Sequence, residues 1–482
     1  MSRRDLTAIA RTEASRPLRL LLEQGIISKG TSVLDFGSGR GADIEYLKSL
    51  RIRSKGWDPV FSPSTRKSIS EIVTLTYVLN VIENPAERIT TLKEAWALCS
   101  SVLAISVRLE DERDEAHIKP VGDGWMTSRG TFQHFYNHSE FGEWIEGHLG
   151  VTPIAAAPGT FLVFRKAGQR EQYLARKYSV RIPVPHFRKS DKMFLENRDA
   201  LEPLITFFIR HGRLPKSSEL DNAEMITEIF GSIGRAFRVI EVVTDHHEWS
   251  GIAERRRIDI YVFLALRLLD GEYRMSDLDE SMRTDVRAHH GSFAAAFESS
   301  VKLLFNAGKS DSINLACRSS VIGKLTPSAL YVHADALQHL PALLKIYEGC
   351  AKRIIGHIPE ANIIKLHRDS KKVSYLSYPD FDTDPHPAIA ESFIVDLTDR
   401  KYKRMKWSSS QNKPILHRKE TFIHKTDSRY DLFAELTQAE EMAGLLEDSA
   451  GIGYHEQWSE RLKNAGYEIN DHTLRPIQLL EK

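Results

Sequence analysis

The chain has 482 residues, a net charge of +1, and 41% hydrophobic and 27% charged residues, which excludes a disordered or fibrous protein and exceeds what one hydrophobic core supports. Its three cysteines, Cys99, Cys317 and Cys350, are odd in number and widely spaced, so neither a disulfide framework nor a cysteine metal centre is expected and a reducing cytoplasm fits. The first residues lack a signal-peptide pattern and no apolar run approaches the roughly 18 residues needed to span a bilayer, so we expect a soluble, cytoplasmic protein without a membrane partner.

In chain order, residues 1–28 read as helical up to Gly30. An alternation then follows: strand at 32–36, helix at 42–50, strands at 54–57 and 72–79, helix at 85–98 and strand at 102–107. It predicts a parallel, doubly wound α/β sheet. A helix at 137–149 and a hairpin folded at Pro158-Gly159 within 152–165 complete a first domain, placed at 1–170. Helices are predicted at 195–210, 222–243, 252–270 and 292–308, giving a helical middle region over 171–315. From 316 to 482 a helix at 337–351 mixes with strand-like runs at 362–366, 373–378 and 393–397, an α+β carboxy-terminal domain.

The first strand ends in Val33-Leu-Asp-Phe-Gly-Ser-Gly-Arg-Gly41. Glycines at 37, 39 and 41 let the backbone approach a nucleotide, and the same letters satisfy a dinucleotide pattern as well. Asp35, two residues before Gly37, would pair with the ammonium of a methionine moiety but would repel a pyrophosphate, which favours S-adenosyl-L-methionine. Asp58, in Gly56-Trp-Asp-Pro59, stands where a carboxylate bonds ribose hydroxyls. The closing hairpin resembles the antiparallel last strand of class I methyltransferases. The expected cofactor contacts are therefore Asp35, Gly37, Gly39, Gly41, Asp58 and Asn80.

The segment Tyr77-Val-Leu-Asn-Val-Ile-Glu83 lacks the Asp/Asn-Pro-Pro-aromatic signature of amino-methylating DNA enzymes, and there is no Pro-Cys nucleophile. Asn80 and Glu83 could still orient an acceptor or take its proton, or serve as plain loop residues. His134, in the aromatic-rich stretch 123–136, is a third catalytic candidate, on a segment read either as a substrate lid or as an anchored loop.

From Cys317 to Lys425 the chain carries 18 Lys and Arg against 11 Asp and Glu. Lys365, Arg368, Lys371, Lys372, His417, Arg418 and Lys419 are candidates for phosphate contact, with a solvated surface as the alternative. Asp380, Asp382, Asp384 and His386 alternate along the chain, but Pro385 excludes an EF-hand turn, and no metal is expected.

Taken together, Arg11-Thr-Glu-Ala-Ser-Arg-Pro17, the loop from Asp35 to Gly41, Gly56-Trp-Asp-Pro59, Tyr77–Glu83, Thr127–Gln133, Leu330-Tyr-Val-His333, Val373–Asp382 and Ile415–Glu420 resemble the DNA phosphorothioation-associated methyltransferase family. The resemblance implies a class I S-adenosylmethionine-dependent methyltransferase domain, DNA or another nucleic acid as acceptor, and proteins of a bacterial phosphorothioation defence system as partners. A cofactor-binding subunit of such a system that methylates nothing, and methylation of RNA or a small molecule, are the alternatives.

Overall fold

The computed structural model describes residues 4–8, 11, 13–113, 117–178, 192–244, 246–271, 273–407, 410–447 and 451–477. Of the stretch expected to be helical over 1–28, residues 1–3, 9, 10 and 12 lie outside this set, and α1 (Arg16–Glu23) is the helix within it. Ser15 caps it by accepting from Leu18 N, and Pro17 sits in the first turn, where its missing N–H costs nothing.

The chain then alternates through β1 (Ser32–Phe36), α2 (Ala42–Ser49), β2 (Arg53–Trp57), β3 (Ser70–Thr76), α3 (Pro85–Ala97) and β4 (Cys99–Ser106). A small three-stranded sheet, β5 (Ile118–Val121), β6 (Gly124–Thr127) and β7 (Phe132–Gln133), replaces the expected loop. The unit closes with α4 (His138–Leu149), β8 (Ile154–Ala157), β9 (Thr160–Phe164) and α5 (Ala167–Tyr178). The main sheet runs β2-β1-β3-β4-β9-β8; its first four strands are parallel and β9 is antiparallel to β4. This is a Rossmann-like α/β sheet, and the switch point beside β1 opens a crevice at the carboxyl ends of the strands.

The middle of the chain is α6 (Lys192–Glu196), α7 (Arg198–His211), α8 (Ala223–Phe230), α9 (Ile233–Val243), α10 (His246–Arg267), α11 (Glu280–His290), α12 (Phe293–Ala307) and α13 (Ser310–Ser319). The helix expected over 222–243 is divided, because Ser232 caps α9 by accepting from Arg235 N. Helices α7 to α9 and the first half of α10 share one core around Leu201, Phe237 and Trp249. The second half of α10 is apolar on two faces: Ile260, Phe263 and Leu264 enter the core under the first sheet, while Val262, Ala265 and Leu266 enter the core of the carboxy-terminal sheet. The middle region is thus partly a separate bundle and partly the shared wall of its neighbours.

A second, antiparallel sheet follows in sequential order: β10 (Lys324–Leu325), β11 (Ala329–His333), then, after α14 (Ala342–Ile355), β12 (Ile363–His367), β13 (Lys372–Ser377), β14 (Glu391–Asp396) and β15 (Lys401–Lys406). Helices α15 (Tyr430–Met442) and α16 (His455–Ala465) and the hairpin β16 (Tyr467–Asn470) and β17 (Thr473–Pro476) cap it. The two sheets meet where α14 ends. A Cβ on Gly356 would lie 2.6 Å from Ala157 N, and His357 N donates to Ala156 O at 2.8 Å, so the exposed edge of β8 is covered.

Candidate functional site

The loop after β1 turns on Gly37, whose φ of +87° and whose clash with Val78, 2.4 Å from an added Cβ, admit no side chain. Gly37 N and Ser38 N donate to Trp57 O, and Gly39 N donates to Asp58 Oδ2 at 2.9 Å. Gly41 caps α2. The loop thus bounds a cavity of about 460 Å³ between β1, β2 and β3, with Asp35, Gly37, Gly39 and Asp58 in its wall.

Asp35 is 5% exposed, and Thr74 Oγ1 donates to its Oδ1 at 2.7 Å. Burial pushes its carboxyl up to about 7, with Asp43 and Asp58 adding to the effect and Thr74 and Arg11 opposing it. A buried carboxylate this short of positive partners is a seat for a cation. Asp58 serves the loop itself as well, accepting from Val60 N and Phe61 N through Oδ1.

The amino-terminal segment covers the cavity. Arg4 donates to Glu83 at 2.8 Å and to Glu87 at 2.6 Å, and Ser15 binds Asp43 at the start of α2 through both its N–H and its hydroxyl. Beside this cover lies a hollow of about 590 Å³, and the two share Arg11, Tyr77 and Arg108; Glu13, Arg16, Arg19 and Glu112 are the other charged residues of the mouth. Arg16 is paired with Glu360 and Arg19 with Glu13, both at the surface. Tyr77 stands at the end of β3 with φ +58°, an outlier for an aromatic residue, and Tyr77 N donates to Ser106 O at 2.8 Å.

Three candidates from the sequence have other tasks. Asn80 is fully buried outside the cavity wall: its Nδ2 donates to His134 O at 2.5 Å and its Oδ1 accepts from Arg108 N at 3.0 Å, so it ties three loops together. Neither a cofactor contact nor catalysis fits an amide held in this way. Glu83 is bound to Arg4, and His134 Nδ1 lies 2.6 Å from the carbonyl of Asp123. The stretch 123–136 is anchored, not a loose lid, because the 4% exposed Arg88 grips the Asp123 carboxylate with two nitrogens at 2.5 and 2.9 Å. What it offers the cavity is Gln133, whose Oε1 is buried in the wall without a hydrogen-bond partner among the described residues. Sequence reasoning missed Gln133 and Tyr77. Adjacency to His134 and to the end of a parallel strand were the available signals.

The basic residues of the carboxy-terminal part do not form one surface. Arg368 is 7% exposed and spends its guanidinium on Asn314 Oδ1 and the carbonyls of Thr326 and Pro327. Lys419 is 2% exposed and donates to the carbonyls of Phe381 and Asp384, while His417 is buried against Ile452 O. These three are corrected to structural residues, since a phosphate cannot reach them. Arg418 pairs with Glu441 and Lys372 with Asp396. Lys365 lies over the Tyr331 ring and Lys371 is exposed in the turn before β13. Of the acidic series, Asp382 pairs with Arg429 and Asp384 Oδ1 accepts from His386 N, so the four side chains do not converge.

No protein-family model matches the chain, and neither does any curated protein. Solved structures similar to it include the 1,6-didemethyltoxoflavin N1-methyltransferase of Burkholderia thailandensis, with bound 1,6-didemethyltoxoflavin and S-adenosylhomocysteine, at 16% identity over 31% of this chain and 76% of that one, TM-score 0.25. The sugar N-methyltransferase KedS8 of Streptoalloteichus is similar at 14% identity over 32% and 87% of the two chains, TM-score 0.26. A methyltransferase of Aquifex aeolicus, described as SAM dependent, is similar at 16% identity over 33% and 95%, TM-score 0.22.

Proposed function

We propose that the chain is an S-adenosylmethionine-dependent methyltransferase with an anionic acceptor, and that this acceptor is a nucleic acid, first of all DNA handled by a phosphorothioation system. The observation that carries the cofactor is Asp35, a buried carboxylate at the foot of a glycine-lined cavity. The residues present fit the group: Asp35 would hold the ammonium of the methionine end, Gly37 leaves the space a Cβ would fill, and Asp58 would take the ribose hydroxyls.

When bound, the cofactor supplies an electrophilic sulfonium methyl. The chain's own contribution is positioning, which can supply most of the acceleration of a displacement that needs two groups aligned. Tyr77 and Gln133 face the acceptor's approach, and Arg11 and Arg108 at the mouth favour a phosphate-bearing acceptor over a neutral one. The DNA part of the reading rests on that charge and on the resemblance in sequence.

Transfer of a radiolabelled methyl group to duplexes with and without phosphorothioate links tests the proposal. Transfer to neither, nor to RNA, overturns the acceptor. A second reading, a cofactor-binding subunit that methylates nothing, is favoured by the engagement of Asn80, Glu83 and His134 with internal partners. Tight cofactor binding with no transfer to any acceptor would select it.

A further inference from the structure

His386, His417 and Glu440 come from three separate segments: the loop between β13 and β14, the chain after β15, and α15. All three are buried, at 8%, 7% and 1% exposure. One ligand atom from each lies within 4.8 Å of the others.

The hydrogen bonding around them is unbalanced. His417 Nε2 is 2.6 Å from Ile452 O, which can only accept, so Nε2 carries the ring hydrogen and Nδ1 the lone pair. Nδ1 is buried and has no hydrogen-bond partner among the described residues. Glu440 Oε1 is in the same condition, lying 2.8 Å from His386 Nε2 without making a hydrogen bond. Two acceptors therefore face one dry space, and the donor nearest to them, His386 Nε2, stands 2.8 Å from Glu440 Oε1 without making a hydrogen bond to it, an arrangement that costs stability unless an electrophile sits there.

We infer that His386, His417 and Glu440 form a binding site for one first-row divalent cation, Zn²⁺ by the chemistry of its donors. Two imidazoles and a carboxylate are a recurrent protein set for this ion, and its tetrahedral shell places ligand atoms about 3.3 Å apart, between the 2.8 Å separation of His386 Nε2 from Glu440 Oε1 and the 4.8 Å that bounds the three. The metal-free alternative is a proton shared between His417 Nδ1 and Glu440 Oε1, the two atoms without a hydrogen-bond partner among the described residues.

The surroundings support the ligands. The Ile452 carbonyl fixes the tautomer and orientation of His417, as an outer-shell acceptor does at metal sites. One contact opposes ligation: Trp458 Nε1 donates to His386 Nδ1 at 3.2 Å, and this long bond is lost when the ring hydrogen moves to Nδ1 so that Nε2 can bind the metal. The ligand segments are already laced together: Ile389 N donates to Pro414 O, Leu416 N to Pro387 O and Ile415 N to Gly453 O. Burial gives the ion a structural role, fastening α15 and the α16 segment to the second sheet.

Full-length protein stripped with chelator and titrated with Co²⁺ should develop visible d–d absorption that saturates at one equivalent and is displaced by Zn²⁺. Zn²⁺ should also raise Tm, because it binds the folded chain in preference to the unfolded one. His417→Ala and Glu440→Gln should each lose the band while far-UV circular dichroism is kept. No band in the native chain, the result expected of a shared proton, overturns the site. A band that survives in both variants overturns it equally, and if neither variant folds, an unchanged Tm of the native chain with Zn²⁺ does so.

Discussion

At the scale of single residues, Asp35 governs the candidate site through its charge. Its carboxyl is raised by burial to about 7, so its charged form opposes folding above that pH, and this penalty disappears as the pH falls toward the ordinary carboxylate range. Pairing with a cationic ligand has the opposite dependence, because only the ionised group attracts an ammonium. Cofactor affinity measured by calorimetry should therefore fall as pH is lowered through 7, by up to about tenfold per unit. Asp35→Asn should bind weakly and lose that dependence. Gln133 offers a second test: it lines the cavity and its buried Oε1 has no partner among the described residues, so Gln133→Ala should reduce methyl transfer or cofactor affinity by about fivefold to tenfold, with Tm unchanged or slightly higher.

At the scale of elements, α10 decides how the units cohere. Two faces of one helix feed two cores, and Leu266, 1% exposed, packs on Gly349 of α14, which has no room for a Cβ. Leu266→Ala should cost about 2–5 kcal/mol. Denaturant unfolding followed by tryptophan fluorescence and by circular dichroism should show both signals shifting together; a shift confined to one signal would mean that the helix does not couple the cores. The end of the same helix carries charge inside the protein: Arg267 donates to Glu171 at 2.8 Å, and Arg170 and Arg353 both reach Asp270. Such a network fixes the angle between α5, α10 and α14 more than it adds stability.

At the scale of the whole molecule, the joint between the sheets is built on histidines that burial holds neutral. His138 contacts Ile354 O and His357 N donates to Ala156 O across that joint, and within the second sheet a third such histidine, His367, bonds Ser374 between β12 and β13. Burial depresses all three to about 4. The unfolded chain takes up these protons first as the pH drops below about 6.5, so stability is fully present above that value and is lost between about 6.5 and 4. Each histidine contributes a slope of up to about 1.4 kcal/mol per pH unit. Tm measured across that window should fall, and His138→Gln should flatten the fall; a level profile would contradict the neutral joint.

The sequence by itself determined the first sheet and its glycine loop, because these are local: a buried strand, residues with one permitted conformation, and Asp35 and Asp58 at fixed offsets from them. It also yielded β12, β13 and β14 from their apolar runs, but not β15 or the helices α11, α13, α15 and α16, which are rich in polar residues and offer few apolar positions to read. Tertiary structure alone decided which polar residues are engaged. Asn80, Arg368 and Lys419 look like exposed chemistry in a string of letters, and become buried ties because backbone carbonyls from distant segments meet them. The same long-range packing gathers Gln133 and Tyr77 to one cavity, and His386, His417 and Glu440 to one point. A hydrogen bond is satisfied by whatever lies nearest in space, and sequence spacing does not encode that distance.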